Sequence, residues 1–154
     1  MTRPPQSLNG LALQATTHCL TGCAIGEVAG MVTSTALGWG NFAAIFVSTI
    51  LAFFFGYALT MRPLLASGLA LPRATRLALS ADTVSITVME ITDNGLLLVI
   101  PSAMNAQLNE PLFWGSLALS LIVAGVVAFP VNRWMIGRGQ GHAVVHGAHG
   151  HAGH

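Results

Sequence analysis

Residues 42–61 read FAAIFVSTILAFFFGYALTM, an apolar stretch without a charged side chain. A hydrocarbon core about 30 Å thick is crossed by roughly 20 mainly apolar residues in a helix, so this stretch predicts a membrane span. Working outward, three more stretches of that size can be laid along the 154-residue chain. The first runs from about Thr16 to Leu37, is weakly hydrophobic and glycine-rich, and meets the second at the turn Gly38-Trp39-Gly40-Asn41. Arg62-Pro63 is expected to end the second span, because proline lacks a backbone donor and disfavours helix before it. The third, about Leu77 to Ile100, carries three acids and stops at Pro101, and the fourth runs from Leu112 to about Trp134. The expectation is an all-α integral membrane protein, a four-helix transmembrane bundle of two hairpins. Its spans are 16–37, 42–61, 77–100 and 112–134, within a domain 15–136. A polar lead, 1–14, precedes it and a flexible His-rich tail, 137–154, follows.

Composition agrees with that solvent. The chain is 53 % hydrophobic and 7 % charged, too little charge to cover a water-soluble surface. Charged outer stripes, which a soluble bundle needs on every helix, are missing. All six bases are arginine and none clusters with aromatics, which argues against a nucleic-acid partner. Cys19 and Cys23 stand one helical turn apart and read as free thiols, not as a disulfide framework. The N-terminus MTRPPQSLNG lacks the compact apolar region of a cleaved signal peptide, so the first span is expected to stay.

Cytoplasmic loops keep positive charge. With four spans, Arg3, the 62–76 linker and Arg133 and Arg138 fall on one side. The Gly38–Asn41 turn and the Ser102–Pro111 loop, free of Lys and Arg, fall on the other. This places both termini in the cytoplasm, with the bacterial inner membrane as the expected location. The close of the fourth span, Phe129-Pro130-Val131-Asn132-Arg133-Trp134, has the interfacial anchors expected there.

The first span holds most of the chemistry, in His18-Cys19-Leu20-Thr21-Gly22-Cys23-Ala24-Ile25-Gly26-Glu27. Residues four apart share a helix face, so Cys19, Cys23, Glu27 and Met31 form one column and His18, Gly22, Gly26 and Gly30 the next. Glycines at that spacing allow a neighbouring helix to approach backbone to backbone. Gly22, Gly26 and Gly30 therefore read as a packing seam, which turns the adjacent column toward protein. Thiol, imidazole, carboxylate and thioether together suit copper or zinc. The competing reading is that both cysteines only fill space.

On the third span Asp82, Met89 and Asp93 fall within a narrow arc, with Ser85 and Glu90 at its edges. An acid at mid-membrane costs about 2.5–3.5 kcal/mol on insertion scales, so Glu27, Glu90 and Asp93 unpaired in lipid would cost on the order of 8–10 kcal/mol. No Lys or Arg lies at matching depth. The counter-charge must be a bound cation, a proton or hydrogen bonding, and ionisable groups inside a membrane point to function. Asp82, Glu90 and Asp93 are candidates for a proton or ion relay. His18, Cys19, Cys23, Glu27, Met31, Met89, Glu90 and Asp93 are candidate metal ligands, although methionines such as Met89 and Met104 more often pack the core. In the tail, His142, His146, His149, His151 and His154 lie among Gly and Ala, where they would gather metal loosely.

These segments resemble a family. The pattern His18-Cys19-x-x-Gly22-Cys23-x-x-Gly26-Glu27, the segments Asp82-Thr83-Val84-Ser85 and Met89-Glu90-x-x-Asp93-Asn94, and Phe129-Pro130-x-Asn132-Arg133-Trp134 resemble bacterial membrane proteins grouped as domain of unknown function 4396. The resemblance covers residues 15–146 and implies a helical membrane domain and no particular activity. The expected function is binding or translocation of copper or zinc by an intramembrane Cys, His and carboxylate cluster. Two rivals stand beside it: a non-catalytic subunit forming a homo-oligomer or docking a larger membrane complex, and a haem or quinone redox protein with His18 as axial ligand. No nucleophile-base pair or phosphate-binding loop suggests an enzyme.

Overall fold

The structure, a computed structural model, describes residues 7–140. Four helices account for most of them: α1 (Leu8–Leu37), α2 (Asn41–Ala66), α3 (Leu71–Val99) and α4 (Pro111–Gly137), with a short 3-10 turn at Ala103–Asn105 before α4. Ser7 caps α1, its hydroxyl accepting from the Gly10 N–H at 3.1 Å. Gly38 ends α1 at φ 67°, in the left-handed region where a side chain would be strained, and the Trp39 N–H donates to the Ser34 carbonyl at 2.9 Å.

The helices exceed the expected spans. α1 begins at Leu8 and absorbs half of the supposed polar lead. α2 does not stop at Arg62-Pro63 but continues to Ala66, because the added turn seats Leu64, fully buried, against Ala74 and Ala81. One missing i to i−4 hydrogen bond is outweighed by that burial. α3 starts at Leu71 with Pro72 in its first turn, where proline costs nothing. The linker of 62–76 thus shrinks to 67–70, and α4 runs through Pro130 to Gly137.

Side-chain polarity is inverted relative to a soluble bundle. Leu13, Phe42, Phe46, Ile91, Val99, Ile122 and Val126 are all at least 60 % exposed, while Glu27, Asp82, Glu90 and Asp93 are at most 5 % exposed. The five described arginines are exposed and sit toward one end of the bundle. There Arg133 donates to Asn9 at 2.6 Å, joining the end of α4 to the start of α1. At the opposite end Asn41 donates to Asn105 at 3.1 Å, joining the α1–α2 turn to the loop before α4.

Two helices, α2 and α4, are long and apolar enough to cross a membrane. Only 22 % and 33 % of their most apolar stretches is buried, the reverse of a core helix in a soluble protein. α1 and α3 are less apolar, with polar side chains on their buried faces, such as Glu27, Asp82, Glu90 and Asp93, and on their exposed ones, such as Thr17, Thr21, Thr83 and Thr87.

Candidate functional site

Close approach of α1 and α2 sets the site. Gly22 faces Gly56, Gly26 faces Ala52 and Gly30 faces Ser48, so the two helices run antiparallel. A Cβ built on Gly22 would lie 2.7 Å from the Gly56 Cα, and at Gly26 it would overlap the Ala52 backbone. The glycine column is filled within the chain by α2, whose buried residues repeat every four positions: Ala44, Ser48, Ala52, Gly56, Thr60 and Leu64. Small residues on both sides let the backbones touch, which is how membrane helices associate. With α2 on the glycines, the neighbouring column of α1 points into the bundle toward α3 and α4.

A line of polar groups results. Nearest the arginine end, His18 Nε2 pairs with Thr60 Oγ1 at 2.8 Å, and the Cys19 thiol donates to Asp82 Oδ1 at 3.6 Å. One turn on, about 6 Å along the axis, Cys23 stands beside Glu90. Asn94 donates to Glu90 Oε2 at 3.2 Å, and Thr49 lies on its other side. A further turn brings the Glu27 carboxyl beside that of Asp93, which also accepts from the Ser120 hydroxyl on α4. Cys19, Cys23 and Met89 share a core cluster with Ala52, Ile86, Ala124 and Ala128, so Met89 is part of the packed core. Met31 lies farther along, in a cavity with Met104.

The line holds four carboxyls, Glu27, Asp82, Glu90 and Asp93, while the described arginines are all exposed. Glu27 Oε1, Glu90 Oε1 and Asp93 Oδ2 are buried and receive no hydrogen bond from a donor group among the described residues. Two ionised carboxyls side by side repel each other, and a proton or a cation between them would remove the repulsion.

The structure brings Glu27 and Asp93 together and sets Cys19 and Cys23 each beside a different acid. It does not bring three or more His, Cys, Asp or Glu side chains into a metal-holding group among the described residues. His18 pairs with Thr60 on α2. The tail histidines His142, His146, His149, His151 and His154 lie outside the described residues. Sequence reasoning missed Thr49, Thr60 and Ser120, which line the same interior as Ser85, the residue it had placed at the edge of the acidic arc. The signal for Thr60 was the four-residue repeat of small side chains on α2, legible in VSTILAFFFGYALT, residues 47–60, only once that period is sought.

This fold and interior define a class: a helical membrane protein with an apolar exterior and acids along its core. More particularly, the chain belongs to the family described as Domain of unknown function (DUF4396), whose model matches residues 10–141. No curated protein and no solved structure is significantly similar to it.

Proposed function

We propose that the protein is a four-span carrier of protons or small cations across the bacterial inner membrane, working through the line of buried carboxyls. Both termini lie in the cytoplasm in this reading, with α1–α2 and α3–α4 as two hairpins and the exposed arginines on the cytoplasmic side. The observation that carries it is the Glu27–Asp93 pair: two buried carboxyls side by side, with every described arginine exposed. Such a pair holds an exchangeable proton or a cation. Glu90 and Asp82 repeat an acid toward the arginine end, each next to a thiol and a threonine that can accept and donate in turn. The acids span 11 residues of α3, about 16 Å of the bilayer. The lipid bilayer is the partner this reading needs; it calls for no second copy, no haem or quinone and no enzymatic step.

Flux in proteoliposomes tests it. Vesicles containing the protein and a trapped pH-sensitive dye should dissipate an imposed pH gradient faster than empty vesicles, and Glu27→Gln and Asp93→Asn should return the rate to that of empty vesicles. Equal rates for all three proteins, or no rate above the empty control, would reject the proposal.

A second reading keeps copper or zinc, on the observation that Cys19 and Cys23 each stand beside a carboxyl in the core. Ligands beyond one thiol and one carboxylate would have to come from a rearrangement or from the tail. Elemental analysis of a Cys19→Ser, Cys23→Ser protein against wild type decides it: loss of bound metal supports this reading, and equal content removes it.

A further inference from the structure

Burial of the acids leaves the surface charge of this chain one-sided. Glu27, Asp82, Glu90 and Asp93 are inside, and Glu110 lies before α4, at the end away from the arginines. A chain of formal charge +1 therefore has one end with five exposed arginines and no exposed carboxylate among the described residues. Two of these arginines are engaged within the fold. Arg133 donates to Asn9 at 2.6 Å, and the Arg138 guanidinium stacks over the Trp134 ring at 4.4 Å.

The edge between α2 and α3 gathers the other three, Arg62, Arg73 and Arg76. Thr75 Oγ1 lies 4.0 Å from Met61 Sδ. That contact sets Arg62 and Arg76, the next residue of each helix, within about 3 Å of one level. Arg73 is one turn from Arg76 on the same face, about 4.5 Å farther out. Deeper on this edge the Tyr57 hydroxyl is 2.9 Å from Thr83 Oγ1, and Thr83 stands two turns from Arg76 on α3. The arginines thus head an outward-facing seam between two helices, with Leu79, 46 % exposed, between Arg76 and Thr83. Their depth is that of the phosphate layer. The apolar run 42–61 covers about 30 Å of hydrocarbon, and Arg62 is the residue that follows it.

We propose that Arg62, Arg73 and Arg76 dock one anionic phospholipid, its phosphodiester held by the guanidinium groups and an acyl chain lying along the α2–α3 seam over Leu79. Charge complementarity names the occupant. Each uncompensated arginine at headgroup depth favours an anionic lipid by about fivefold in affinity, whereas a zwitterionic head brings its own cation. The seam offers an apolar wall that a lipid can use and a free phosphate ion cannot. Arginine adds geometry to charge, since its planar fork binds two phosphate oxygens at once where lysine presents a point charge. The six bases of this chain include no lysine. This site follows from the exterior of the bundle and does not depend on what the carboxyl line carries.

Native mass spectrometry of the full chain in detergent, titrated with palmitoyl-oleoyl phosphatidylglycerol, tests it. Wild type should retain one such lipid, and an equal amount of phosphatidylcholine should not displace it. The combined Arg62→Gln, Arg73→Gln, Arg76→Gln protein should bind phosphatidylglycerol on the order of a hundredfold more weakly. The corresponding triple lysine protein should fall between that variant and wild type, because it keeps the charge and loses the fork. Arg133→Gln with Arg138→Gln, at the same end, should stay within about fivefold of wild type. All five side chains are exposed, and unchanged helical circular dichroism identifies folded variants. Equal retention by wild type and the triple glutamine protein overturns the site, as does phosphatidylcholine held equally well. A loss in the Arg133, Arg138 variant as large as in the triple overturns it too, by reducing it to the charge of that end. Displacement of the lipid by millimolar inorganic phosphate overturns the lipid as occupant, and a triple lysine protein as tight as wild type overturns the fork.

Discussion

The Ser120 hydroxyl on α4 donates to the Asp93 carboxylate on α3, and the same oxygen lies 2.9 Å from the Leu117 carbonyl. A hydroxyl has one proton and two lone pairs. With Asp93 ionised, Ser120 gives its proton to the acid; with Asp93 protonated, Ser120 accepts and turns its own proton to Leu117. The bond therefore survives either state of the acid without movement of a helix. Ser120→Ala removes it, and loss of a charge-assisted hydrogen bond of about 1.5 kcal/mol should slow proton flux about tenfold. Ser120→Thr should restore most of the rate, as read in the proteoliposome assay.

Removal of charge at Glu27 should separate stability from flux. In Glu27→Gln the amide can donate to the Asp93 carboxyl beside it, so the midpoint of denaturation in mixed micelles should stay within about 1 kcal/mol of wild type while flux is lost. Glu27→Ala leaves Asp93 buried with one partner fewer and a cavity, and should cost about 2–3 kcal/mol. Equal destabilisation by the two variants would mean that the pair is not joined by a hydrogen bond.

The glycine seam makes a steric prediction. A methyl group on Gly26 meets the Ala52 backbone, whereas one on Gly95 meets nothing within 4 Å. Gly26→Ala should destabilise by about 2 kcal/mol or more as the helices move apart, and Gly95→Ala should be neutral or stabilising because alanine favours helix. The same unfolding titration measures both.

Cys19 and Cys23 are 0 % and 1 % exposed and are free thiols. Thiol chemistry needs access, so neither should react with a membrane-permeant maleimide in the folded protein, and both should react in hot dodecyl sulfate. Rapid modification in native membranes would show that the core opens to solvent there.

Because the native thiols are shielded, added cysteines report topology cleanly. Ser67→Cys, in the α2–α3 turn, and Asn105→Cys, in the loop before α4, lie at opposite ends of the bundle. In intact cells an impermeant maleimide should label the Asn105→Cys protein and spare the Ser67→Cys protein until the cells are broken. The opposite pattern would invert the proposed orientation.

Much of this architecture was legible in the chain itself because hydropathy is a local property. Residues 42–61 announce a lipid-facing helix by composition, and the column Cys19, Cys23, Glu27 follows from helical period alone. Proline was the misleading residue: Pro63 reads as an ending, yet it lies inside a helix whose last turn buries Leu64. A local rule about one hydrogen bond was overruled by contacts that come from distant segments.

By itself the sequence determined that the chain is helical, that its exterior suits lipid, and that acids without matching bases occupy its spans. It did so because the cost of charge in hydrocarbon and the period of a helix need no knowledge of neighbours. Only the tertiary structure decided which acid meets which: Glu27 with Asp93, Glu90 with Cys23, Asp82 with Cys19. The physical reason is register, for α1 can settle on α2 only where Gly22, Gly26 and Gly30 meet Gly56, Ala52 and Ser48. That single alignment turns Glu27 toward α3.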